Sequence, residues 1–201
     1  MGLISNGTTL LDAGALDSGI ATGAMTLITT TNISSGSSTV TFNSSINSTY
    51  KEYQFHLTDI HGSNDNVYLQ VNFRDGSTAY DATKTSTLFR MYHFEDNTTG
   101  AVAYETGHDL AESTGVLKIA QGCGSDNDQS TTGILNLFEP SSTTFVKHFN
   151  SKTSTIHGSN NAAYSWFVAG YCNVTAAIDG VQFSMSAGTL DAGTIKMYGI
   201  K

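Results

Sequence analysis

The feature that most constrains this chain is a period of two. Tyr53, Phe55 and Leu57 share one parity against Glu52, Gln54 and His56, and Val67, Leu69, Val71 and Phe73 alternate with Tyr68, Gln70 and Asn72. On a pleated strand this pattern puts apolar groups on one face and polar groups on the other, whereas a helix would scatter them around its axis. Strand-like runs also occur at 25–31, 39–42, 88–94, 115–120, 134–138, 144–149, 163–172, 181–185 and 194–200, making eleven candidates in all. The joints between them, such as 61–65, 74–77, 122–126 and 187–189, are rich in Gly, Asn, Asp and Ser, which accept turn dihedrals at little cost. No stretch carries the i, i+3, i+4, i+7 apolar pattern of a confident helix, and the best helical candidate, 106–113, is short.

Many strands joined by turns in 201 residues predict one all-β domain of two packed sheets. Longer connections at 75–87 and 151–162 favour Greek-key crossings over a meander, so the expected fold is a jelly-roll-like antiparallel β-sandwich. Pro140 follows a strand candidate that ends near Phe138, where it removes no ladder hydrogen bond. The segment 1–23 is different. Leu3, Ile4, Leu10 and Leu11 are scattered through small residues without a period, which reads as an N-terminal arm or anchoring segment ahead of a sandwich domain over 24–201. It is either an edge strand on the sandwich or an arm that orders on a neighbouring subunit.

Charge excludes one class of partner. Nine Lys plus Arg against seventeen Asp plus Glu give a net charge of −8, with Arg74 and Arg90 the only arginines, so no nucleic-acid partner is expected. Ser, Thr and Asn supply about a third of the chain. The first residues have no basic flank and no apolar run long enough for a signal peptide or membrane span, so a soluble, unexported chain with no membrane partner is expected. Asn6 stands where a myristoylation signal would carry Ser or Thr. Cys123 and Cys172 read as buried free thiols, and six Asn-x-Ser/Thr sequons carry no message in such a composition.

Six histidines and seventeen acids form no motif with a mechanism: HExxH, GxSxG, a phosphate loop and paired CxxC are all missing. The expectation is therefore a protein that is not an enzyme, has no cofactor and needs no metal. Asp126 and Asp128, in a Gly-flanked loop, are a weak calcium candidate, since an oxygen cage needs six or more ligands and a solvated turn is the commoner fate. His108-Asp109 is a similarly weak acid–base pair. Tyr92, Tyr104, Tyr164 and Trp166 have two readings, a platform for sugar rings or a core and subunit interface. Two sequence echoes stand out: Ile60-His61-Gly62-Ser63-Asn64 recurs as Ile156-His157-Gly158-Ser159-Asn160, and Leu11-Asp12-Ala13-Gly14 as Leu190-Asp191-Ala192-Gly193. They fit equivalent turns of a duplicated sandwich, or coincidence in a Gly- and Ser-rich chain.

The opening run from Leu3 to Ala15, LISNGTTLLDAGA, the middle run from Ser141 to Phe149, SSTTFVKHF, and the ending, FSMSAG at Phe183 to Gly188 and GTIKMYGI at Gly193 to Ile200, resemble structural proteins of marine tailed bacteriophages over nearly the whole length. The resemblance implies a virion component, made in the host cytoplasm and displayed on the outer surface of capsid or tail. The first expectation is an oligomeric capsid decoration (cement) protein, a homotrimer bound to the major capsid protein or to tail proteins and anchored through Leu3, Ile4, Leu10 and Leu11. The alternative is a tail- or fibre-associated module that binds a receptor or host-surface glycan. The resemblance carries over no catalytic residue.

Overall fold

The computed structural model describes residues 3–5, 8–12, 15–16 and 23–201. Within the N-terminal segment, β1 (Leu3–Ser5), β2 (Thr8–Asp12) and β3 (Ala15–Leu16) form a three-stranded antiparallel sheet of their own, with Leu3 opposite Leu11 and Leu11 opposite Leu16. Ile4 there is exposed and Leu11 half-buried. The side chains of Leu3 and Leu10 lie outside the described residues, as does the remainder of the expected arm over 1–23.

The body holds twelve strands: β4 (Met25–Asn32), β5 (Val40–Phe42), β6 (Glu52–Gly62), β7 (Val67–Arg74), β8 (Lys84–Phe94), β9 (Gly100–Tyr104), β10 (Leu117–Cys123), β11 (Thr131–Phe138), β12 (Lys147–His157), β13 (Ala162–Cys172), β14 (Gly180–Met185) and β15 (Leu190–Ile200). All are joined in one antiparallel ladder, but β10 meets β12 through the single pair Cys123–His157. The ladder therefore bends there into two layers. One runs β4-β15-β6-β11-β12-β13-β8-β9, and the other β5-β14-β7-β10. Rings meet across the gap: Phe42 and Phe183 pack edge-on to Phe55 at 5.2 and 5.7 Å, and Phe73 stacks on Phe149 at 5.1 Å.

The pairing is nested. Strand β4 pairs with β15, β5 with β14, β6 with β11, and β7 with β10, as in one long hairpin folded over on itself. That nesting is a jelly roll, and the expected all-β sandwich is what the chain forms. Two hairpins are inserted into it, β8–β9 between β7 and β10, and β12–β13 between β11 and β14. They pair with each other through β13 and β8 and widen one sheet from four strands to eight.

Three sequence expectations need correction. Residues 106–113 make turns, and the backbone there bonds to β8 (Lys84 N to Ser113 O, Ser86 N to Leu110 O), so extended pairing outcompetes a one-turn helix. The expected long connection at 151–162 is mostly strand, because β12 runs on to His157 and only four residues turn before β13. The sandwich is nested rather than duplicated: the turn after Gly62 crosses between the sheets, whereas the echoing turn after His157 stays in one. The two turns do meet. A Cβ on Gly158 would fall 1.9 Å from Asp65 Oδ1, and Gly158 N donates to Gly122 O at 2.9 Å, so the absence of a side chain is what allows the approach.

Candidate functional site

The four aromatic candidates do not share a surface. Tyr92 and Tyr164 sit opposite each other on β8 and β13, on the inward face, and stack at 5.2 Å. The Arg90 guanidinium lies over both rings, at 5.2 and 5.4 Å, while Nη1 donates to Gln121 Oε1 at 2.7 Å and Nε contacts Glu105, off the line of a hydrogen bond. Trp166 is 1% exposed, edge-on to Tyr68 and His108, and its Nε1 has no partner in the structure. Tyr104 is on the other side of the sheet, opposite Phe89, with its hydroxyl donating to Asp109 Oδ2 at 2.6 Å. Strand parity separates them: on β13, Tyr164 and Trp166 point to the core, and Tyr104 faces away from it. A sugar platform made of all four is therefore ruled out by geometry.

His108 extends the inward network. Its Nε2 is 2.9 Å from Tyr68 Oη, and burial, with Lys118 nearby, lowers its pKa. His157 is lowered in the same way, by burial first and then by Arg90. Both histidines thus favour the neutral form, suited to a packed network beneath β13.

The calcium candidates lie elsewhere, at the mouth of an open cleft of about 610 Å³ lined by Asp59, His61, Asp128, Gln129 and Asp191. The main chain of Asp126 is engaged in the turn, where its carbonyl accepts from Gln129 N at 2.9 Å and lies 3.2 Å from His61 Nε2. His61 Nδ1 lies 2.6 Å from Asp191 Oδ1. Two acceptors on one ring call for two N–H donors, which is the imidazolium form. Burial opposes that charge, but the Asp191 and Asp126 bonds outweigh it, and the His61 pKa is raised. Asp128 gains no such partners. Among the described residues no three His, Cys, Asp or Glu side chains are arranged to hold a metal ion. Cys123 and Cys172 are free and buried, and burial pushes the Cys172 thiol up to about 12, which leaves it unreactive.

The residues that the sequence reading missed lie around Tyr104 on the outer face of the eight-stranded sheet. Phe89 and Phe167 stack flat at 4.9 Å and 6°, with Met91 and Val102 beside them, all exposed but Phe167. Strand register continues the row from Phe167 to Lys152, whose Nζ lies 5.4 Å from the Phe167 ring, and on through Ile134 and His56 to Lys196. A signal for this face exists in the sequence, where Leu88-Phe89 and Trp166-Phe167-Val168 are apolar on both parities, as in strands with a second buried face. No protein-family model, curated protein or solved structure matches this chain.

Proposed function

We propose that this chain is a structural protein of a tailed-bacteriophage virion, an oligomeric decoration (cement) protein that binds the capsid surface and stabilises it. The resemblance of the chain's opening, middle and ending to virion proteins brings the class, and one observation carries the assembly role. The outer face of the widened sheet presents Phe89, Met91, Val102 and Tyr104 to solvent as a contiguous apolar patch. Apolar patches of this kind, rimmed by polar groups, mark interaction surfaces. The inserted strands β8, β9 and β13 build it, on the face of the large sheet turned away from the four-stranded layer. The role is structural rather than catalytic. Shell or tail proteins of the particle are the partners.

The competing reading, a tail or fibre module that binds host glycan, rests on Tyr104 as the one exposed ring of the four aromatic candidates. The deciding experiment is fractionation of purified particles followed by an averaged map. Stoichiometric copies on the capsid lattice support the decoration role, copies at the tail tip favour the receptor module, and absence from particles overturns both.

A further inference from the structure

The connection from β9 to β10, residues 105–116, crosses from one layer of the sandwich to the other as a strap. Its main chain runs along β8, where Ser86 N donates to Leu110 O at 2.8 Å, and Lys84 and Ser113 exchange N–H···O bonds at 2.9 and 3.0 Å. One side chain pins it inward. The ring of His108 reaches both layers, 5.1 Å from that of Tyr68 on β7 and 5.7 Å from that of Trp166 on β13, with Nε2 2.9 Å from Tyr68 Oη. The other ring nitrogen is idle. Among the described residues Nδ1 is buried without a hydrogen bond, and it stands 3.6 Å from Glu105 Oε2.

Charge decides which form of this ring fits. Two cations face it, Arg90 from β8 and Lys118 from β10, and one carboxylate, Glu105, which also contacts Arg90. Arg90 acts in turn on His157 of β12, whose own counter-charge is Asp65, while Asp109 of the strap is bonded to the Tyr104 hydroxyl. A proton on His108 would therefore make a third cation around a single acid, on a side chain only 18% exposed. Burial, and then Lys118, lower its pKa against the pull of Glu105.

The strap is the segment able to yield. Strand β13 is laddered on both edges along its eleven residues. The strap instead holds β8 through scattered bonds, two of them from Leu110 N and Glu112 N to the Ser86 and Thr85 hydroxyls. Local opening draws on such segments before ladders.

We propose that residues 105–116 form an acid-released latch whose pin is the neutral ring of His108: protonation drives the ring from between Tyr68 and Trp166, and the strap lifts off β8 while the rest of the sandwich stays folded. Opening also frees the Tyr104 hydroxyl, through which the outer apolar patch is tied to the strap. The latch belongs to the folded chain and is independent of what docks on that patch.

Amide hydrogen exchange of the full chain between about pH 7.5 and 5, corrected for the intrinsic pH dependence of exchange, tests it. Below the ordinary 6.5, opening at the amides of Lys84, Ser86 and Ser113 should rise by up to about tenfold per pH unit and level off where folded His108 titrates, with the β12–β13 ladder still protected. The His108→Gln variant takes no proton, so its strap protection should lack this rise, and His157 contributes equally to both proteins. Imidazole proton resonances of the unaltered chain supply a reading that needs no variant, because the His108 titration must coincide with the levelling of strap exchange. Strap protection that does not change with pH, the same rise in His108→Gln, or His108 titration without strap opening overturns the latch. Loss of β12–β13 protection in step with the strap overturns it too, because the event would then be general acid unfolding.

Discussion

The Nδ1 atom of His61 lies 2.6 Å from Oδ1 of Asp191, tying the end of β6 to the start of β15 at the rim of the polar cleft. The other ring nitrogen faces the Asp126 carbonyl, so the ring clasps the β10–β11 loop as well. The charged groups around it, Asp59, Asp128 and Asp191, are all acids. The folded pKa is raised above the ordinary 6.5, so the stability from protonation is fully present below 6.5 and is lost as pH rises through the folded value. Relative to His61→Gln, the unaltered chain should lose about 1 kcal/mol as pH rises from 6 to 8.5, the size of an ordinary net hydrogen bond for a pair that solvent partly reaches. Urea midpoints of both proteins across that range check it, and parallel curves would show that folding leaves the His61 pKa unshifted.

His157 has the opposite sign. Burial lowers its pKa, and its Nδ1 accepts from Ser159 N at 3.3 Å, which requires the neutral ring. Its contribution is present above 6.5 and is lost as pH falls through the folded value. Acidification from pH 7 to 5 should therefore destabilise the unaltered chain more than His157→Gln. Thermal melts at the two pH values measure the difference, and equal losses would refute the assignment.

Lys84 is fully buried, with Nζ donating to Ala82 O and Gly115 O at 2.9 and 2.8 Å. Burial holds its pKa down at about 8 from the ordinary 10.5. Between those values the unfolded chain binds more protons than the folded one, so stability should rise with pH there, by at most about 3 kcal/mol by linkage. Over pH 7.5 to 9.5 the two buried thiols lower the stability of both proteins as the unfolded thiols ionise, so the Lys84 contribution is read as a rise of the unaltered chain relative to Lys84→Met. A midpoint difference between the two proteins that stayed constant or fell with pH would contradict this.

Most of the fold was legible because strand parity and hydrophobicity agree along most strands. Where they part, legibility fails. The inward row of β12 is Lys147, Phe149, Ser151, Thr153, Thr155 and His157, all buried, yet only Phe149 is apolar. Thr153 and Thr155 are buried as hydrogen-bonded hydroxyls: Thr153 Oγ1 donates to Ile119 O, and Thr155 Oγ1 is 2.7 Å from Thr131 Oγ1. A sequence of Ser and Thr cannot show such partners, so the strand read as a connection. The site was hidden for a different reason. The His61–Asp191 pair spans 130 positions and exists only because β6 and β15 are neighbours in the nested ladder. The Phe89–Phe167 stack was visible as residues, but its face depends on the β8–β13 register, which local pattern does not fix.

Gly133 marks a close approach of β11 to β12 within the widened sheet. A Cβ there would fall 2.5 Å from the Lys152 carbonyl oxygen and 2.9 Å from Thr153 Cα, both main-chain atoms that cannot turn away. Gly133→Ala should force β11 from β12 and lower stability by about 1–3 kcal/mol, as overpacking does. A change below about 0.5 kcal/mol in denaturant melts would mean that the strands separate more easily than the geometry implies.

Trp166 and Tyr104 separate the assembly and glycan readings through stability as well as binding. Trp166 is buried beneath Tyr68 of β7 and His108 of the β9–β10 connection, so Trp166→Ala should cost about 3–5 kcal/mol, enough to compromise the fold of many domains. Loss of binding in that variant would say nothing about a glycan. Tyr104 is 51% exposed and its hydroxyl bonds only to Asp109, so Tyr104→Ala should change stability by less than about 1 kcal/mol and leave the strand spectrum intact. Under the assembly reading this variant weakens assembly, because it trims the exposed apolar patch of Phe89, Met91, Val102 and Tyr104, and alters no retention on a glycan array. Specific glycan retention by the unaltered chain that disappears in Tyr104→Ala, with the sedimentation profile unchanged, would reverse that reading and make the outer face a receptor surface.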